Sequence, residues 1–524
     1  MKRRQFIASV AVGSLASALA TQQSVAGADE LARAEDFDPS ELGIAALQRQ
    51  LGNGLTSAAL ITAYLARISR FDHSGPRYQS VLAINPDALT IARTLDDERR
   101  AGKPRGPLHG IPLLIKDNIA TSDRMPTTAG SLALEKAFHR VDAALVAKLR
   151  SAGAIILGKT NLSEWANFRS TYSSSGWSAV GGQTGNAYDP ARNPSGSSSG
   201  SATAAALSFC AAAIGTETDG SILSPSAVNG LVGFKPSIGA VSGVGIVPLS
   251  PRQDVAGPMA RSVEDARLLA SVMYETSRHS ANIGDVGSRK VRVGMVPASE
   301  SMRAEVVGLY RSAAEIWRAS GADIVDAPLP KGLQEAGEAE FTALLFEFRD
   351  ALDRYLKNLS PAQTTARSLA ELIQFNRQHA DRELREFGQE IFELAIDKGP
   401  LSEPAYLDSV RTLRRLVEVE GLELMFRDLS VDVLVAPGSG PAGFIDPILG
   451  DRPDLGGSSL GSAAAVAGYP SLTLPMGLVR GMPVGMTVVA RRHDEDRLLD
   501  IAERFERTGR LRVPPRPSSI TRHI

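Results

Sequence analysis

The stretch from residue 194 to residue 237 constrains the fold of this chain more than any other. It starts with a Ser/Gly-rich loop, continues as an Ala-rich run and reaches a second turn at Asp219-Gly220-Ser221. Because nearly every residue is small, the backbone can approach another segment or a ligand closely, and glycine allows turns that other residues disfavour. The pattern predicts two turns rich in hydroxyl and backbone N–H groups, joined by an apolar helix, as in a catalytic cradle.

The alternative interpretation of this stretch is a flexible Ser/Gly linker. A linker is not expected to continue into apolar sequence. Residues 204–213 and 231–234 nevertheless have the composition of a buried core, which favours the cradle.

Composition and charge exclude several classes of partner. Of the 524 residues, 43% are hydrophobic and 22% are charged, which is typical of a globular protein with a large core. The formal net charge of −1 gives no attraction to nucleic acid or to an anionic membrane. Aromatic residues make up 5% of the chain, which does not favour a base-stacking surface. We therefore expect no nucleic-acid partner, and the oligomeric state stays open.

Cysteine and histidine usage argues against a metal site. The single cysteine, Cys210, can form neither an internal disulfide nor a Cys-rich metal site, and it is most simply a small buried hydrophobe. The seven histidines are scattered, with no pair at i,i+4 and no HExxH motif. We expect no metal ion and no cofactor.

Residues 1–28 have the pattern of an export signal. Residues 2–7 read KRRQFI, a twin-arginine pattern, and an apolar run of small residues at 8–20 is too short to span a bilayer. Candidate cleavage sites lie at 18–20 and at 26–28. The pattern predicts export to the periplasm or the exterior by the twin-arginine route, without stable membrane anchoring. The alternative is an ordinary basic start followed by a helix.

The remaining chain alternates predicted strands and helices, which indicates an α/β fold. Predicted strands cover 79–85, 111–115, 154–157, 291–296, 322–325 and 432–436, and predicted helices cover 86–102, 142–151, 262–273, 302–319 and 494–507. Residues 330–430 are helical and charged, with Leu344, Phe348, Leu352 and Leu356 on one stripe that predicts core packing. We predict one domain over 35–515, with a variable, mainly helical insertion at about 330–430.

The strand predicted at 111–115 delivers Lys116 at its end. Burial disfavours the ammonium form of a lysine, so it lowers the pKa from about 10.4 towards a range where the amine acts as a base. The alternative is a lysine that is ion-paired with Asp117 or solvated in a loop. The combination of Lys116 with two serine turns favours the catalytic interpretation.

Several short motifs resemble those of the amidase signature family, over about residues 40–280 and 430–510. They are KDN at 116–118, LGKTN at 157–161, GQT at 182–184, SGSSSGSA at 195–202, DGSILSPS at 219–226, GFKP at 233–236, GPMARS at 257–262, AGYP at 467–470 and PVGM at 483–486. Together these motifs are far more specific than any single one of them. The resemblance implies the fold of that family, a central mixed, twisted β-sheet covered by helices on both faces.

The resemblance also implies a Ser–cisSer–Lys triad and an amidohydrolase activity. Ser221 would be the nucleophile, Ser197 the bridging serine and Lys116 the base. The backbone N–H groups of residues 218–221 (Thr218, Asp219, Gly220 and Ser221) would stabilise the oxyanion. Thr171 and Ser173 would line the acyl side of the pocket. The expected substrate is a small-molecule or peptide amide, which is cleaved to an acid plus ammonia or an amine through an acyl-enzyme.

Two positions depart from the family pattern. Asp219 replaces the first glycine of the usual Gly-Gly, and Leu223 replaces the usual arginine two residues after the nucleophile. We expect the carboxylate of Asp219 to point away from the oxyanion and to accept hydrogen bonds. With the export pattern, these features resemble the exported bacterial peptide amidases, which remove the C-terminal amide of peptides.

Two alternatives of other classes stay open. One is an amidotransferase-type subunit that supplies ammonia to a partner, although an export signal argues against a cytoplasmic partner. The other is a non-catalytic binding protein on the same fold, which would be expected to lack Lys116, Ser197 or Ser221. All three residues are present.

Overall fold

The computed structural model describes residues 37–275, 290–451 and 460–517. The predicted export signal therefore lies outside the described residues. In the described part of the chain, the thirteen strands β1–β13 are, in order, Val81–Ile84, Pro112–Lys116, Ile155–Thr160, Trp177–Ser178, Gly182–Gln183, Ala212–Glu217, Val232–Lys235, Val255–Ala260, Arg292–Met295, Asp323–Asp326, Val433–Pro437, Ser471–Val479 and Met482–Ala490.

Eleven of these strands form one large mixed sheet, while β4 and β5 form a separate small ladder. The strand order is β1-β3-β2-β6-β8-β7-β12-β13-β11-β9-β10. The pairs β2/β3, β2/β6, β9/β11 and β9/β10 are parallel, and the other pairs are antiparallel. Every residue of the central strands β2, β3 and β6 is buried, because helices cover both faces of the sheet. The predicted α/β fold with a central mixed sheet is confirmed.

Helices cover the sheet and build the region between residues 332 and 428. In the described residues, the α-helices are Ile44–Gly52, Ser57–Arg67, Ala88–Arg100, Ala144–Ser151, Ser199–Ala206, Leu223–Val228, Val263–Met273, Ala304–Ala319, Gly332–Glu335, Gly337–Asn358, Leu369–Gln378, Ala380–Glu383, Glu390–Ile396, Pro404–Leu413, Leu424–Asp428, Leu460–Val466 and Glu495–Gly509. None of them is long and apolar enough to cross a bilayer.

The apolar helix predicted to join the two serine turns is present, but it covers only the first part of the segment between them. The helix Ser199–Ala206 ends early, Ser208 adopts a left-handed φ of 56°, and the chain continues as strand β6. Alanine does not distinguish helix from strand by itself, and here the pairing of β6 between β2 and β8 decides. The correction matters because β6 leads directly to Ser221.

The helical region packs against residues 164–168, which lie on the N-terminal side of both serine turns. The predicted apolar stripe from Leu344 to Leu356 is confirmed as core, since its four side chains are buried. The ring of Phe348 lies 5.2 Å from that of Phe168, and the ring of Trp165 lies 6.0 Å from that of Phe392. The helical region therefore shares a hydrophobic core with residues 164–168. The predicted domain limits at 35 and 515 stay a prediction.

Candidate active site

Three segments bring Lys116, Ser197 and Ser221 together. Lys116 is the last residue of β2, Ser197 precedes the helix Ser199–Ala206, and Ser221 follows β6. Because β2 and β6 are adjacent and parallel, their carboxyl ends meet at one edge of the sheet. The two serine turns therefore converge on the amine of Lys116.

A continuous chain of hydrogen bonds connects the three side chains. Lys116 Nζ lies 2.7 Å from Ser197 Oγ, and Ser197 Oγ lies 3.0 Å from Ser221 Oγ. Lys116 and Ser197 are fully buried, whereas Ser221 is 8% exposed. The chain thus runs from a buried amine to a hydroxyl that solvent or a ligand can reach, so a proton can pass along it.

Burial lowers the pKa of Lys116 to about 7, although the carboxylates of Asp254 and Glu217 oppose the shift. The amine also contacts Thr216, with Nζ 2.9 Å from Oγ1 and 3.3 Å from the carbonyl oxygen. A neutral amine has two N–H groups, and the two acceptors of Thr216 match them. The lone pair then faces Ser197, as a proton acceptor requires.

Sequence reasoning missed Thr216 and the role of Asn118. Asn118 Nδ2 donates to Thr216 Oγ1 over 2.9 Å. This hydrogen bond fixes the Thr216 hydroxyl, which accepts a hydrogen bond from the Lys116 amine. Asn118 belongs to the KDN motif, which is a signal that could have drawn attention to it. Thr216 lies in an apolar strand, and only the pairing of β2 with β6 reveals its position.

The loop that carries Ser197 is held in an unusual backbone conformation. The peptide bond between Gly196 and Ser197 is cis, and Ser195 has a φ of 59°. A Cβ atom on Gly196 would lie 2.2 Å from Ser163 Oγ, so a larger residue at this position would displace the Ser163 side chain. The Ser197 carbonyl accepts from Ser163 N at 3.1 Å, and Ser198 N donates to the Ser221 carbonyl at 3.2 Å.

The turn before Ser221 presents backbone N–H groups to a cavity. Glu217 Oε2 accepts hydrogen bonds from Ile222 N at 2.7 Å and from Leu223 N at 3.0 Å, which fixes the backbone just after the turn. Among the described residues, no acceptor binds the N–H groups of residues 218–221. Gly220 has a φ of 75°, and nothing lies within 4 Å of a Cβ atom built on it. This open turn can hold an oxyanion.

A cavity of about 320 Å³ lies beside this turn. Its lining includes Gly196, Asp219, Gly220, Leu223, Asp451 and Ser462. Ser462 donates a hydrogen bond to the Asp219 carboxylate, so the predicted accepted hydrogen bond is present. Burial, reinforced by the nearby carboxylates of Glu340 and Glu217, raises the pKa of Asp219 well above its usual value. In the described part of the lining there are two carboxyl groups and no Lys, Arg or His.

Thr171 and Ser173 do not line this cavity. Thr171 Oγ1 donates to Glu390 Oε1 over 2.8 Å, and Ser173 Oγ donates to the Ser170 carbonyl over 2.6 Å. The same segment instead contributes Asn167 and Ser175 to the lining. The pocket role of Thr171 and Ser173 stays a prediction, and both hydroxyls are occupied by protein acceptors.

The structure places the other buried lysines in different surroundings. Lys159 Nζ lies 3.3 Å from Asp117 Oδ1, and Lys235 Nζ lies 2.5 Å from the Tyr469 carbonyl. Asp117 therefore pairs with Lys159 and not with Lys116. Within the described ranges, no three His, Cys, Asp or Glu side chains are close enough to share a metal ion.

Comparison with known proteins agrees with this geometry. The family model described as Amidase matches residues 59–499. A protein described as a probable amidase from Arabidopsis thaliana is 37% identical over 484 residues, which cover 88% of this chain and 88% of that protein. A glutamyl-tRNA(Gln) amidotransferase component from Chloroflexus aurantiacus is 32% identical, over 89% of this chain and 96% of that protein.

A solved structure adds a closer likeness in three dimensions. The native peptide amidase from Stenotrophomonas maltophilia is 44% identical, with a TM-score of 0.85, over 91% of this chain and 99% of that one. The chain belongs to the Amidase family, the amidase signature enzymes, whose members hydrolyse amides with a Ser–cisSer–Lys triad.

Proposed function

We propose that this amidase forms an acyl-enzyme on Ser221, with Ser197 as the bridging serine and Lys116 as the base. The observation that carries this assignment is the hydrogen-bond chain of 2.7 Å and 3.0 Å from Lys116 Nζ to Ser221 Oγ. A serine hydroxyl is a weak nucleophile until a base takes its proton. An amine with a pKa of about 7 is largely neutral at mildly alkaline pH and can act as that base.

The proposed reaction has two halves. Ser221 Oγ attacks the amide carbonyl carbon while its proton passes to Ser197 Oγ, whose own proton passes to Lys116 Nζ. The N–H groups of residues 218–221 stabilise the oxyanion. When the C–N bond breaks, Lys116 returns the proton through Ser197 to the leaving nitrogen, which departs as ammonia or an amine. Water then attacks the acyl-enzyme along the same proton path, which releases the acid and restores Ser221.

We further propose that the substrate is a C-terminal peptide amide. The solved structure that is 44% identical to this chain is that of a peptide amidase. A further structure shows a peptide amidase in complex with the competitive inhibitor chymostatin. The lack of a basic side chain in the described lining of the cavity supports the same substrate. Its described lining carries Asp219 and Asp451 and no basic side chain, which favours a neutral carboxamide over a free carboxylate.

The two alternatives fit less well. The amidotransferase component is a relative at 32% identity, below the 44% of the peptide amidase. A non-catalytic binding protein needs no relay, whereas Lys116, Ser197 and Ser221 form one continuous chain of hydrogen bonds.

Ammonia release from a panel of amides tests the proposal. Purified protein is assayed with peptide amides, aliphatic amides, aryl amides and glutamine, beside the Ser221→Ala variant. We expect release from peptide amides that the substitution abolishes. Release from simple amides alone would keep the triad and reject the peptide substrate. Release that persists in a folded Ser221→Ala variant would reject the nucleophile.

We also propose export by the twin-arginine route, on the basis of the KRRQFI pattern at residues 2–7. Fractionation of cells that express the full chain tests it. We expect the processed protein in the exported fraction and retention of the Arg3→Lys/Arg4→Lys double variant in the cytoplasm. Export of that double variant at the wild-type level would contradict this route.

A further inference from the structure

A second cavity of about 590 Å³, called here the outer cavity, adjoins the cavity beside the Asp219–Gly220 turn. Four residues line both of them: Ser195, Ser224, Gly438 and Asp451. The outer cavity is bounded mainly by the loop of residues 438–451. Because the two cavities share walls, a ligand bound beside the Asp219–Gly220 turn, which directly precedes Ser221, can extend into the outer one.

The chemistry of the reaction decides which part of a substrate enters the outer cavity. A primary amide loses only ammonia, so its leaving side has no chain. The acyl side carries the rest of the molecule. A groove that adjoins the cavity beside the Asp219–Gly220 turn therefore receives the acyl chain, which in a peptide amide is the peptide that precedes the C-terminal residue.

The outer cavity has a mixed polar and apolar lining, and its aromatic wall is held in place. Phe444 is 66% exposed, and its ring lies 4.1 Å below the guanidinium of Arg192. Backbone hydrogen bonds from Asn193 N to the Gly443 carbonyl, at 2.9 Å, and from Ile445 N to the Ala191 carbonyl, at 3.1 Å, fix the loop on both sides of the ring. An exposed aromatic ring on a fixed backbone is a preorganised apolar contact.

A second observation points to a ligand with a polar backbone. Ser439 lines the outer cavity, is 9% exposed, and its Oγ has no hydrogen-bond partner among the described residues. A buried hydroxyl without a partner costs free energy, and such groups are normally satisfied. A peptide N–H or carbonyl group would satisfy it.

From these features we infer that the outer cavity is a subsite for an apolar side chain on the residue that precedes the amidated one, with Phe444 as its wall and Ser439 as a hydrogen-bonding partner of the peptide backbone. The inference rests on the proposed peptide-amide substrate. The subsite would distinguish one peptide amide from another, whereas the triad acts on the amide group that all of them share.

The test compares two substrates within each variant. Ammonia release gives kcat/KM for acetyl-Leu-Ala-amide and for acetyl-Gly-Ala-amide, and the Leu/Gly ratio cancels differences in the amount of folded enzyme. Burial of a leucine side chain predicts a ratio of about tenfold or more in the wild type. We expect Phe444→Ala to reduce the ratio to about threefold or less, and Phe444→Tyr to retain it, since the ring remains.

Phe138→Ala is the matched control, because Phe138 is also an exposed phenylalanine, at 48%, and lines neither cavity. It should keep the wild-type ratio. We expect Ser439→Ala to lower kcat/KM for both dipeptide amides about fivefold while the ratio persists. An unchanged ratio in Phe444→Ala, or an equal fall in Phe138→Ala, would overturn the subsite and leave the triad untouched.

Propionamide, which ends before the outer cavity, separates the remaining outcomes. If the wild type hydrolyses propionamide but neither dipeptide amide, the peptide substrate and the subsite both fail and the triad stands. If it hydrolyses none of the three amides, the proposed function fails with the subsite.

Discussion

The ends of the neighbouring strands β2 and β3 each hold a fully buried lysine, and the two lysines have opposite surroundings. Lys159, near the end of β3, lies 3.3 Å from the carboxylate of Asp117 and also donates to the Ile119 carbonyl and to Thr127. In the described part of the chain, Lys116, at the end of β2, forms hydrogen bonds only with the neutral groups of Ser197 and Thr216. Among the described residues, no carboxylate lies within ion-pair distance of it.

This difference shows that burial alone does not make a lysine a base. Burial lowers the pKa of both amines, but the carboxylate of Asp117 opposes that shift at Lys159 and favours its charged form. At Lys116 the opposing carboxylates are more distant, and the pKa falls to about 7. The lack of a close carboxylate therefore distinguishes Lys116, the proposed base, from Lys159, which belongs to a structural ion pair.

The largest effect is expected when the amine of Lys116 is removed. Lys116→Met should lower kcat for amide hydrolysis about 10⁴-fold, because Ser197 then has no group that accepts its proton. Ammonia release at saturating substrate measures it. A variant that keeps more than a tenth of the wild-type kcat would show that another group is the base.

The same substitution at the other lysine should affect stability instead. Lys159→Met leaves the Asp117 carboxylate buried and unpaired, which we expect to lower the free energy of unfolding by about 3–5 kcal/mol. Urea unfolding at constant slope measures the change. Lys116→Met is the control and should not show this loss, since it strands no carboxylate. An equal loss of unfolding free energy in the two variants would contradict the proposed contrast between Lys159 and Lys116.

The pH dependence should report the neutral form of Lys116. Since the amine must be unprotonated, kcat/KM should rise with pH through a midpoint near 7 and be about 100-fold lower at pH 5 than at its plateau. Asp254→Asn should move the midpoint to lower pH, because the Asp254 carboxylate favours the ammonium form. A wild-type midpoint near 10 would mean that burial does not perturb the amine.

The contribution of Lys116 to the free energy of unfolding should change with pH in the same direction as kcat/KM. The pKa of Lys116 is lower in the folded protein than the ordinary lysine value near 10.4, so the unfolded chain binds more protons between about pH 7 and pH 10. The contribution of Lys116 therefore makes the free energy of unfolding rise with pH in that window. Lys116→Met should stabilise the protein most below pH 7, and this gain should shrink towards pH 10.

The smallest effect concerns the orientation of the amine. Thr216→Val removes one of the two acceptors that hold the N–H groups of Lys116, and kcat should fall about tenfold with little change in KM. Thr216→Ser keeps the hydroxyl and should restore most of the activity. A valine variant with a raised KM and an unchanged kcat would assign Thr216 to substrate binding.

Much of the fold and of the relay could be predicted, because both depend on short segments. A continuous apolar run followed by a lysine predicted the strand that ends at Lys116, and the observed strand differs by one residue at each end. The two serine turns were recognisable since small residues dominate them. Local signals also set two helix starts, since the hydroxyls of Thr56 and Ser262 cap the helices that follow and accept from Ala59 N and Asp265 N.

The remainder depends on pairing between distant segments. Thr216 reaches Lys116 because β6 lies beside β2, and nothing in a run of apolar residues reveals that neighbour. Asp451 reaches the cavity through hydrogen bonds from Ser175 N and Asn193 Nδ2, more than 250 residues earlier in the chain. The alanine run was assigned to one helix because its composition suits helix and buried strand alike.

The most direct test of the proposed relay is the rate at which the acyl-enzyme forms as a function of pH. Rapid quench of the enzyme with an amide substrate, followed by intact-protein and peptide mass spectrometry, gives both the rate and the acylated residue. We predict an adduct on Ser221 whose formation rises with pH through a midpoint near 7. An adduct on another residue, or a rate that does not change between pH 5 and pH 9, would contradict the assignment of Lys116 and Ser221.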